Sequence, residues 1–218
     1  MKKNVLLFLL VALFALTAFV LVGCGDEPEP QPGPGTEVEV KRDVKVADAG
    51  LSVVLEAGKS VYVTALGQAD FAYMQTIVND AIEGSEITVT VDNQLKAADL
   101  NAGDVVISVL GYTSKGISGD ITQTSEIARA KALAEKEGII LILCQLSGKE
   151  RRGESSDPII SEAVKGADYV FIYDADDSKG ADYDKKYSTE WCKGFDKLYL
   201  FSDEYDIKDY IEVLLGAN

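Results

Sequence analysis

The sequence predicts a three-layer α/β/α domain built around a mostly parallel sheet, and two observations carry this prediction. Strand-like and helix-like runs alternate along residues 45–218, which is typical of successive βαβ units. In addition, DVVISVLG (104–111) and IILILCQL (139–146) are almost wholly apolar, as expected for parallel strands that helices cover on both faces. We therefore expect one central sheet between two helical layers.

Five or six strands follow from the apolar and β-branched runs, taken in chain order. They are SVYVTAL (60–66), SEITVTVDN (85–93), the two apolar runs above, DYVFIYD (168–174) and KLYLFS (197–202). We number them one to six and expect a Rossmann-like sheet with the flavodoxin-like order 2-1-3-4-5, the sixth strand lying at an edge. The stretch GLSVVLEAG (50–58) fits either a further strand or a segment that crosses the core.

Four stretches between and after these strands predict helices. They cover residues 68–84, 120–138, 158–167 and 204–216, and in the first of them apolar residues recur at helical spacing. Glycines end the first two stretches, as is common at helix C-termini. Asp157 and Pro158 suit the start of the third, because aspartate caps a helix and proline is tolerated in its first turn.

The N-terminus predicts an exported, lipid-anchored protein. Two lysines precede an apolar run that ends in LVG and then Cys24, a pattern that resembles a bacterial lipoprotein signal peptide. We expect a signal peptide over residues 1–23 and lipidation of Cys24, at the outer face of the bacterial cytoplasmic membrane or at the outer membrane. A single transmembrane anchor is the alternative, since the run is nearly long enough to span a bilayer.

Between this anchor and the domain lies a predicted linker over residues 24–44. It contains four of the five prolines of the chain and several acids, a composition that favours a semi-extended spacer over a packed structure. Residues 45–218 then form a single domain, a length that is ordinary for one hydrophobic core. No internal repeat is visible.

The acidity of the chain excludes nucleic acid as a partner. Its net charge is −15, and removal of residues 1–23, which contain Lys2 and Lys3 but no acid, makes the net charge −17. Such a surface is repelled by phosphate backbones and by anionic lipids.

No cofactor and no metal site is expected. The chain has no histidine, so a zinc site or a triad that needs one is excluded. GYTSKGIS (111–118) lacks the Lys-Ser/Thr of a P-loop, and the acidic run 174–184 lacks the glycine and the final glutamate of an EF-hand. The loop after strand one lacks a Ser/Thr-rich phosphate cradle for flavin. Cys144 and Cys192 stay open as a disulfide or two free thiols.

Cationic and polar residues after three strands define a candidate anion site. In the order 2-1-3-4-5, the loops after strands one, three and four are neighbours at the carboxyl edge, where open parallel sheets bind ligands. Arginine suits carboxylate or phosphate, and glycines let backbone N–H groups approach a ligand. The alternatives are internal pairing of the arginines with Glu150, Glu154 or Asp157 and a contact with a partner protein. The expected ligand-binding residues are Gln68, Ser114, Lys115, Gly116, Lys149, Arg151 and Arg152.

Three stretches together resemble a family of exported bacterial proteins catalogued only as a domain of unknown function. They are VYVTALGQ (61–68), the SKG loop followed by EIARAKAL, and GKERRGESSDPIISEAVKGADYVFIY (148–173). The most specific element is G-x-x-R-R-G-x-x-S-D-P, and the resemblance covers about residues 60–175. It implies a flavodoxin-like fold and an extracytoplasmic setting, and it implies no activity.

These features predict a membrane-anchored, non-catalytic domain that binds a small anionic solute, such as a carboxylate or a phosphate, for uptake or sensing. A transporter or receptor partner is left open. Two alternatives also stay open. One is a hydrolase or transferase that uses the same site, with Asp157, Glu150 or Asp120 as general base. The other is an interaction module whose acidic face holds a cationic partner.

Overall fold

The computed structural model describes residues 40–113, 121–147, 151–173, 198–203 and 205–217. Within these ranges seven strands form one sheet. In chain order they are β1 (Val40–Arg42), β2 (Val61–Leu66), β3 (Val89–Val91), β4 (Val105–Leu110), β5 (Ile140–Gln145), β6 (Tyr169–Tyr173) and β7 (Leu198–Phe201).

The strands are ordered β1-β7-β6-β5-β4-β2-β3, and every neighbouring pair is parallel. The predicted α/β class and parallel sheet are confirmed. The predicted count of five or six strands is wrong, because β1 adds a seventh. The predicted strands one to six are β2 to β7, so the order 2-1-3-4-5 describes only the part β3-β2-β4-β5-β6 of the sheet. The sixth predicted strand, β7, does not lie at an edge, because β1 pairs outside it, with Val40 opposite Leu198. β1 also lies inside the segment 24–44 that the sequence assigns to the linker, so the sheet begins before residue 45.

Four α-helices of the described residues flank the sheet, and each overlaps a stretch predicted to be helical. Their bounds are α1 (Phe71–Ala81), α2 (Gln123–Ala134), α3 (Asp157–Ala163) and α4 (Tyr205–Leu215). The helices α1 and α4 pack on one face of the sheet, and α2 and α3 pack on the other. A capping box starts α2: Thr122 Oγ1 accepts the N–H of Ser125 at 3.1 Å, and Ser125 Oγ accepts the N–H of Thr122 at 2.8 Å.

Alternate side chains of the central strands enter two separate cores. In β4, Val105, Ile107 and Val109 face the α1–α4 layer, whereas Val106 and Leu110 face the α2–α3 layer. All six residues of β4 are buried, and this explains its almost wholly apolar sequence, since helices cover both faces of the strand.

The stretch 50–58 lies across the α1–α4 core and forms no strand. Val54 donates its N–H to the carbonyl of Leu214 at 2.8 Å, which ties this segment to the end of α4. Leu51, Val54 and Leu55 pack against the same core. The segment therefore covers apolar surface that the two helices leave open.

Cys144 of β5 lies in the α1–α4 core as a buried free thiol. Burial raises its pKa, because the thiolate would lose its hydration there. Cys192 lies outside the described residues, as do Cys24 and the expected signal peptide. None of the helices in the described ranges has the length and apolar content that a membrane span requires.

Candidate functional site

The strand order reverses between β2 and β4, and this point lies at the centre of the candidate site. The chain leaves β2 for β3 on one side, whereas β4 is followed by β5 on the other side. The two strands end level with each other, since Leu66 is opposite Leu110. In open α/β sheets, such a switch point at the carboxyl ends of the strands is where ligands bind.

The loops that follow β2 and β4 are joined to each other by main-chain hydrogen bonds. Gly111 donates its N–H to Leu66 O at 3.0 Å, and Ala69 donates to Gly111 O at 2.9 Å. Thr113 donates in turn to Gly67 O at 2.9 Å. The bonds run across the switch point, so the two loops form one surface above the sheet.

Glycine is required at the contact between these loops. Gly67 has φ +99°, and a Cβ at this position would collide with the carbonyl of Gly111. A Cβ at Gly111 would lie 3.0 Å from the Cβ of Arg151 and 3.2 Å from the Cβ of Ala69. The segment that carries Arg151 therefore packs directly on the joined loops, as the predicted neighbourhood of the loops after β2, β4 and β5 requires.

A buried ion pair on α2 stabilises the loop after β2. Glu126 of α2, 1% exposed, lies 2.6 Å from the Arg129 guanidinium, which is 10% exposed. Glu126 Oε2 also accepts the N–H of Gly67 at 2.6 Å. Arg129 donates to Thr64 Oγ1 at 3.2 Å and to the carbonyl of Ala65. The pair thus binds the last residues of β2 and the first residue of the loop to α2.

Two non-glycine residues of the same loop have left-handed backbone conformations, Gln68 with φ 71° and Asp70 with φ 56°. The Gln68 amide exchanges hydrogen bonds with Asn93, its Nε2 donating to Asn93 O at 3.0 Å. Asp70 precedes α1 without capping it, and its carboxylate instead accepts a hydrogen bond from Ser147 Oγ, after β5. Residues with such backbone conformations persist only where the surrounding structure holds them, and they are found most often at functional sites.

The two predicted arginines have different environments. Arg152 forms a two-point contact with Asp157, from Nε to Oδ1 at 2.7 Å and from Nη2 to Oδ2 at 3.3 Å. Asp157 Oδ1 also accepts the N–H of Gly153 at 2.8 Å. Arg151 makes no hydrogen bond or ion pair to the residues that the structure describes. Four further predicted site residues lie outside the described ranges, namely Ser114, Lys115, Gly116 and Lys149.

Many backbone N–H groups at the switch point already have acceptors. Tyr112 donates to Ser156 Oγ at 2.9 Å, and its neighbours donate to Glu126 or to the facing loop. In the described part of these loops, such N–H groups are therefore already engaged and do not form a backbone cradle for a ligand of the kind that glycine-rich loops provide. The N–H groups with acceptors are those of Gly67, Ala69, Gly111, Tyr112 and Thr113.

A second concave surface, beside β1, is unsuited to an anion. It encloses about 320 Å³, and its charged lining consists of three aspartates, Asp43, Asp206 and Asp209, and one lysine, Lys45. Burial, and then the charges of Asp203, Asp209 and Asp43, raise the pKa of Asp206. Over the described part of the chain, no group of three or more acids, cysteines or histidines is arranged to hold a metal ion.

Four site residues were not predicted from the sequence, and each was missed for a physical reason. Glu126 and Arg129 are three residues apart on a polar-looking helix, where such pairs normally lie in solvent. Asp70 and Ser147 are separated by 77 positions, and neither belongs to a catalytic sequence motif. A partial signal existed in GQAD (67–70), since an aspartate that follows a glycine closely is typical of a sharp turn.

Comparison with known proteins places most of this domain in one family. The sequence pattern described as "Domain of unknown function (DUF6305)" matches residues 58–190, more than half of the chain. No curated protein matches the chain. Among solved structures, the chain is similar to a flavodoxin of Streptococcus pneumonia TIGR4, at 14% identity and a TM-score of 0.37, over 74% of this chain and 100% of the flavodoxin.

Proposed function

The chain belongs to the family described as Domain of unknown function (DUF6305), and since that description assigns no activity, we propose a function from the switch point itself. The domain binds a small anionic solute, a carboxylate or a phosphate, at the carboxyl edge of the sheet. It does so without catalysis, as an exported protein held to a membrane through lipid on Cys24, and it serves uptake or sensing.

The contrast between the two neighbouring arginines carries the proposal. Arg152 holds the loop in place through Asp157, and both side chains are mostly buried, 10% and 19% exposed. Arg151 packs its aliphatic stem on Gly111 and makes no polar contact to the described residues. An arginine fork at the switch point, next to a loop held in shape by the Glu126–Arg129 pair, is suited to a two-point contact with a carboxylate or phosphate.

The remaining predicted residues have different parts in this proposal. Lys115 and Lys149 would add positive charge to the site, and Ser114 and Gly116, which follow β4, would add a hydroxyl and a backbone N–H group. Gln68 is engaged with Asn93, so its part is to shape the loop. Asp70 brings a negative charge to the same edge, so a ligand with one acidic group should give a larger thermal shift than a tricarboxylate such as citrate.

A thermal-shift experiment tests the proposal with acetate, citrate, inorganic phosphate and glucuronate as probes. A ligand at 100 times its Kd stabilises the protein by about 2.7 kcal/mol, which raises Tm by about 5–10 °C for a domain of this size. Arg151→Ala should abolish the shift. The matched control is Lys165→Ala, which removes a cation that is 60% exposed and paired with Glu162, and it should keep the shift.

The result that contradicts anion binding is equally specific. If no probe raises Tm, or if Arg151→Ala and Lys165→Ala respond to the probe alike, Arg151 does not bind the anion. Arg152→Ala is not informative alone, because loss of the contact with Asp157 destabilises the loop itself. It is therefore compared only through its Tm without ligand.

One contact favours a second candidate function, a hydrolase or transferase at the same edge. Ser147 Oγ donates a hydrogen bond to the carboxylate of Asp70, so a hydroxyl nucleophile and a base lie within reach of each other. Of the bases expected from the sequence, Asp157 is engaged by Arg152, whereas Glu150 and Asp120 lie outside the described residues. Turnover of p-nitrophenyl acetate or phosphate that is lost in Ser147→Ala would support this candidate, and its absence would exclude these two ester classes.

A further inference from the structure

Among the strands that the structure describes, β3 lies at one end of the sheet. It pairs with β2 only, and no strand of the described ranges lies on its other side. Asp92 donates its N–H to Val63 O at 3.0 Å, toward β2. Because backbone groups alternate along a strand, the N–H and C=O groups of Val91 and Val89 point away from β2. The edge therefore presents main-chain donors and acceptors to another strand.

This edge lacks the features that normally prevent strand addition. Edge strands are usually protected by lysine, proline or inward charges. The opposite edge of the sheet follows that rule, since β1 contains Lys41 and Arg42. In contrast, ITVTV (87–91) contains neither a charge nor a proline, and Val91 is 41% exposed. The two edges of one sheet thus differ in their readiness to accept a further strand.

A groove runs beside the open edge. It encloses about 790 Å³, with Thr88 and Thr90 of the β3 segment among its lining residues. Val53 and Leu55 also line it, and Val53 is 57% exposed, one of the few large apolar side chains of the described residues that reach solvent. An added strand would place its alternate side chains in this groove, where apolar side chains would be buried.

The charges around the edge select the chemistry of the occupant. Glu86 and Asp92 lie at the two ends of the open stretch, and Glu56 lines the groove. The one lysine in the groove lining, Lys59, directs its ammonium group to the carbonyl of Ala102 at 2.6 Å. A strand with basic residues at its ends would meet opposite charges across the pair.

The same charges argue against a second copy of this chain as the occupant. Antiparallel pairing of two β3 edges about Val89 would set Glu86 of one copy opposite Asp92 of the other, and like charges in that position are destabilising. The strongly acidic domain adds long-range repulsion between copies. A basic partner segment would meet neither of these two repulsions.

From these observations we infer that the open edge of β3 is a docking site for an extended segment of a partner protein, with apolar or β-branched residues flanked by lysine or arginine. The segment adds an eighth strand to the sheet and buries alternate side chains in the groove beside Val53. This binding is independent of Arg151 and of the anion site.

The probe is the peptide Lys-Val-Thr-Val-Thr-Val-Lys, labelled for fluorescence anisotropy and added to the full chain. We expect saturable binding, and slower hydrogen exchange at the amides of Val89 and Val91, which simple charge attraction would not produce. Val91→Pro removes one outward donor while leaving the ladder to β2 intact, and it should weaken binding at least tenfold. Glu86→Lys should weaken it similarly, whereas Glu137→Lys, an exposed charge change before β5, should leave Kd within twofold.

Several outcomes would overturn the inference. They are absence of peptide binding, equal affinity for the same peptide with glutamate in place of lysine, and unchanged exchange at Val89 and Val91. Equal affinity of the Val91→Pro protein, with circular dichroism showing an intact fold, would also refute it. Self-association that protects the same two amides without peptide would show a second copy as the occupant and would equally refute it.

Discussion

Replacing Arg129 by methionine should destabilise the protein strongly, because it leaves the carboxylate of Glu126 buried without its guanidinium partner. Glu126 is 1% exposed, so bulk water does not reach its carboxylate to replace the 2.6 Å contact with Arg129. The substitution also removes donors to Thr64 Oγ1 and to the carbonyl of Ala65 at the end of β2. Methionine keeps most of the aliphatic volume of arginine, so the loss is one of charge and hydrogen bonds, not of packing.

The magnitude follows from the burial of both partners. Breaking a buried ion pair by removing one member costs about 3–5 kcal/mol, which corresponds to a fall in Tm of about 6–20 °C for a domain of this size. The double variant Glu126→Gln/Arg129→Met should recover part of that loss. Glutamine is neutral, and its amide oxygen still accepts the N–H of Gly67, the contact that Glu126 makes at 2.6 Å.

The measurement is urea unfolding followed by far-UV circular dichroism, with the free energy of unfolding compared among the single and double variants. Lys131→Met is the matched control on the same helix, since Lys131 lies 3.7 Å from Glu135 and both side chains are more than half exposed. It should cost less than about 1 kcal/mol. If Arg129→Met costs no more than this control, or if the double variant is no more stable than Arg129→Met, the reasoning from the buried charge is wrong.

The remaining predictions concern the loop contact and the buried thiol. Gly67→Ala should lower the free energy of unfolding by about 1–3 kcal/mol, since the added Cβ would collide with the carbonyl of Gly111. An unchanged urea midpoint would contradict this. In a Cys24→Ser/Cys192→Ser background, Cys144 should react with Ellman's reagent only after unfolding, and prompt reaction of the native protein would refute its burial. Because the folded-state pKa of Cys144 is raised, its ionisation should reduce stability only above the ordinary thiol pKa of about 8.5.

The buried strands were predictable because their signal is local. β4 and β5 are runs of apolar residues, and a strand covered on both faces needs no other pattern. The helices were predictable for a related reason, since apolar spacing and terminal glycines act within a few residues of each other. β1 has three residues, two of them charged, and its place is determined by the free edge of β7.

The candidate site, too, could be predicted from the sequence only where its residues are close together in the chain. The sequence suggested that Arg151 and Arg152 lie at the carboxyl edge and that Asp157 could pair with them, because these residues are at most six positions apart. It did not distinguish the two arginines. Only the folded chain directs Arg152 onto Asp157 and leaves Arg151 without a polar partner among the described residues.

By itself, then, the sequence determined what short-range pattern controls: the α/β class, the helices and the strands of the sheet's centre. The tertiary structure alone decided which distant groups meet. Asp70 contacts Ser147, Glu126 contacts Gly67, and β1 pairs with β7, although the partners are far apart in sequence. Such contacts depend on how the sheet is ordered and how its helices pack, and their energy is gained only once distant segments have been brought together.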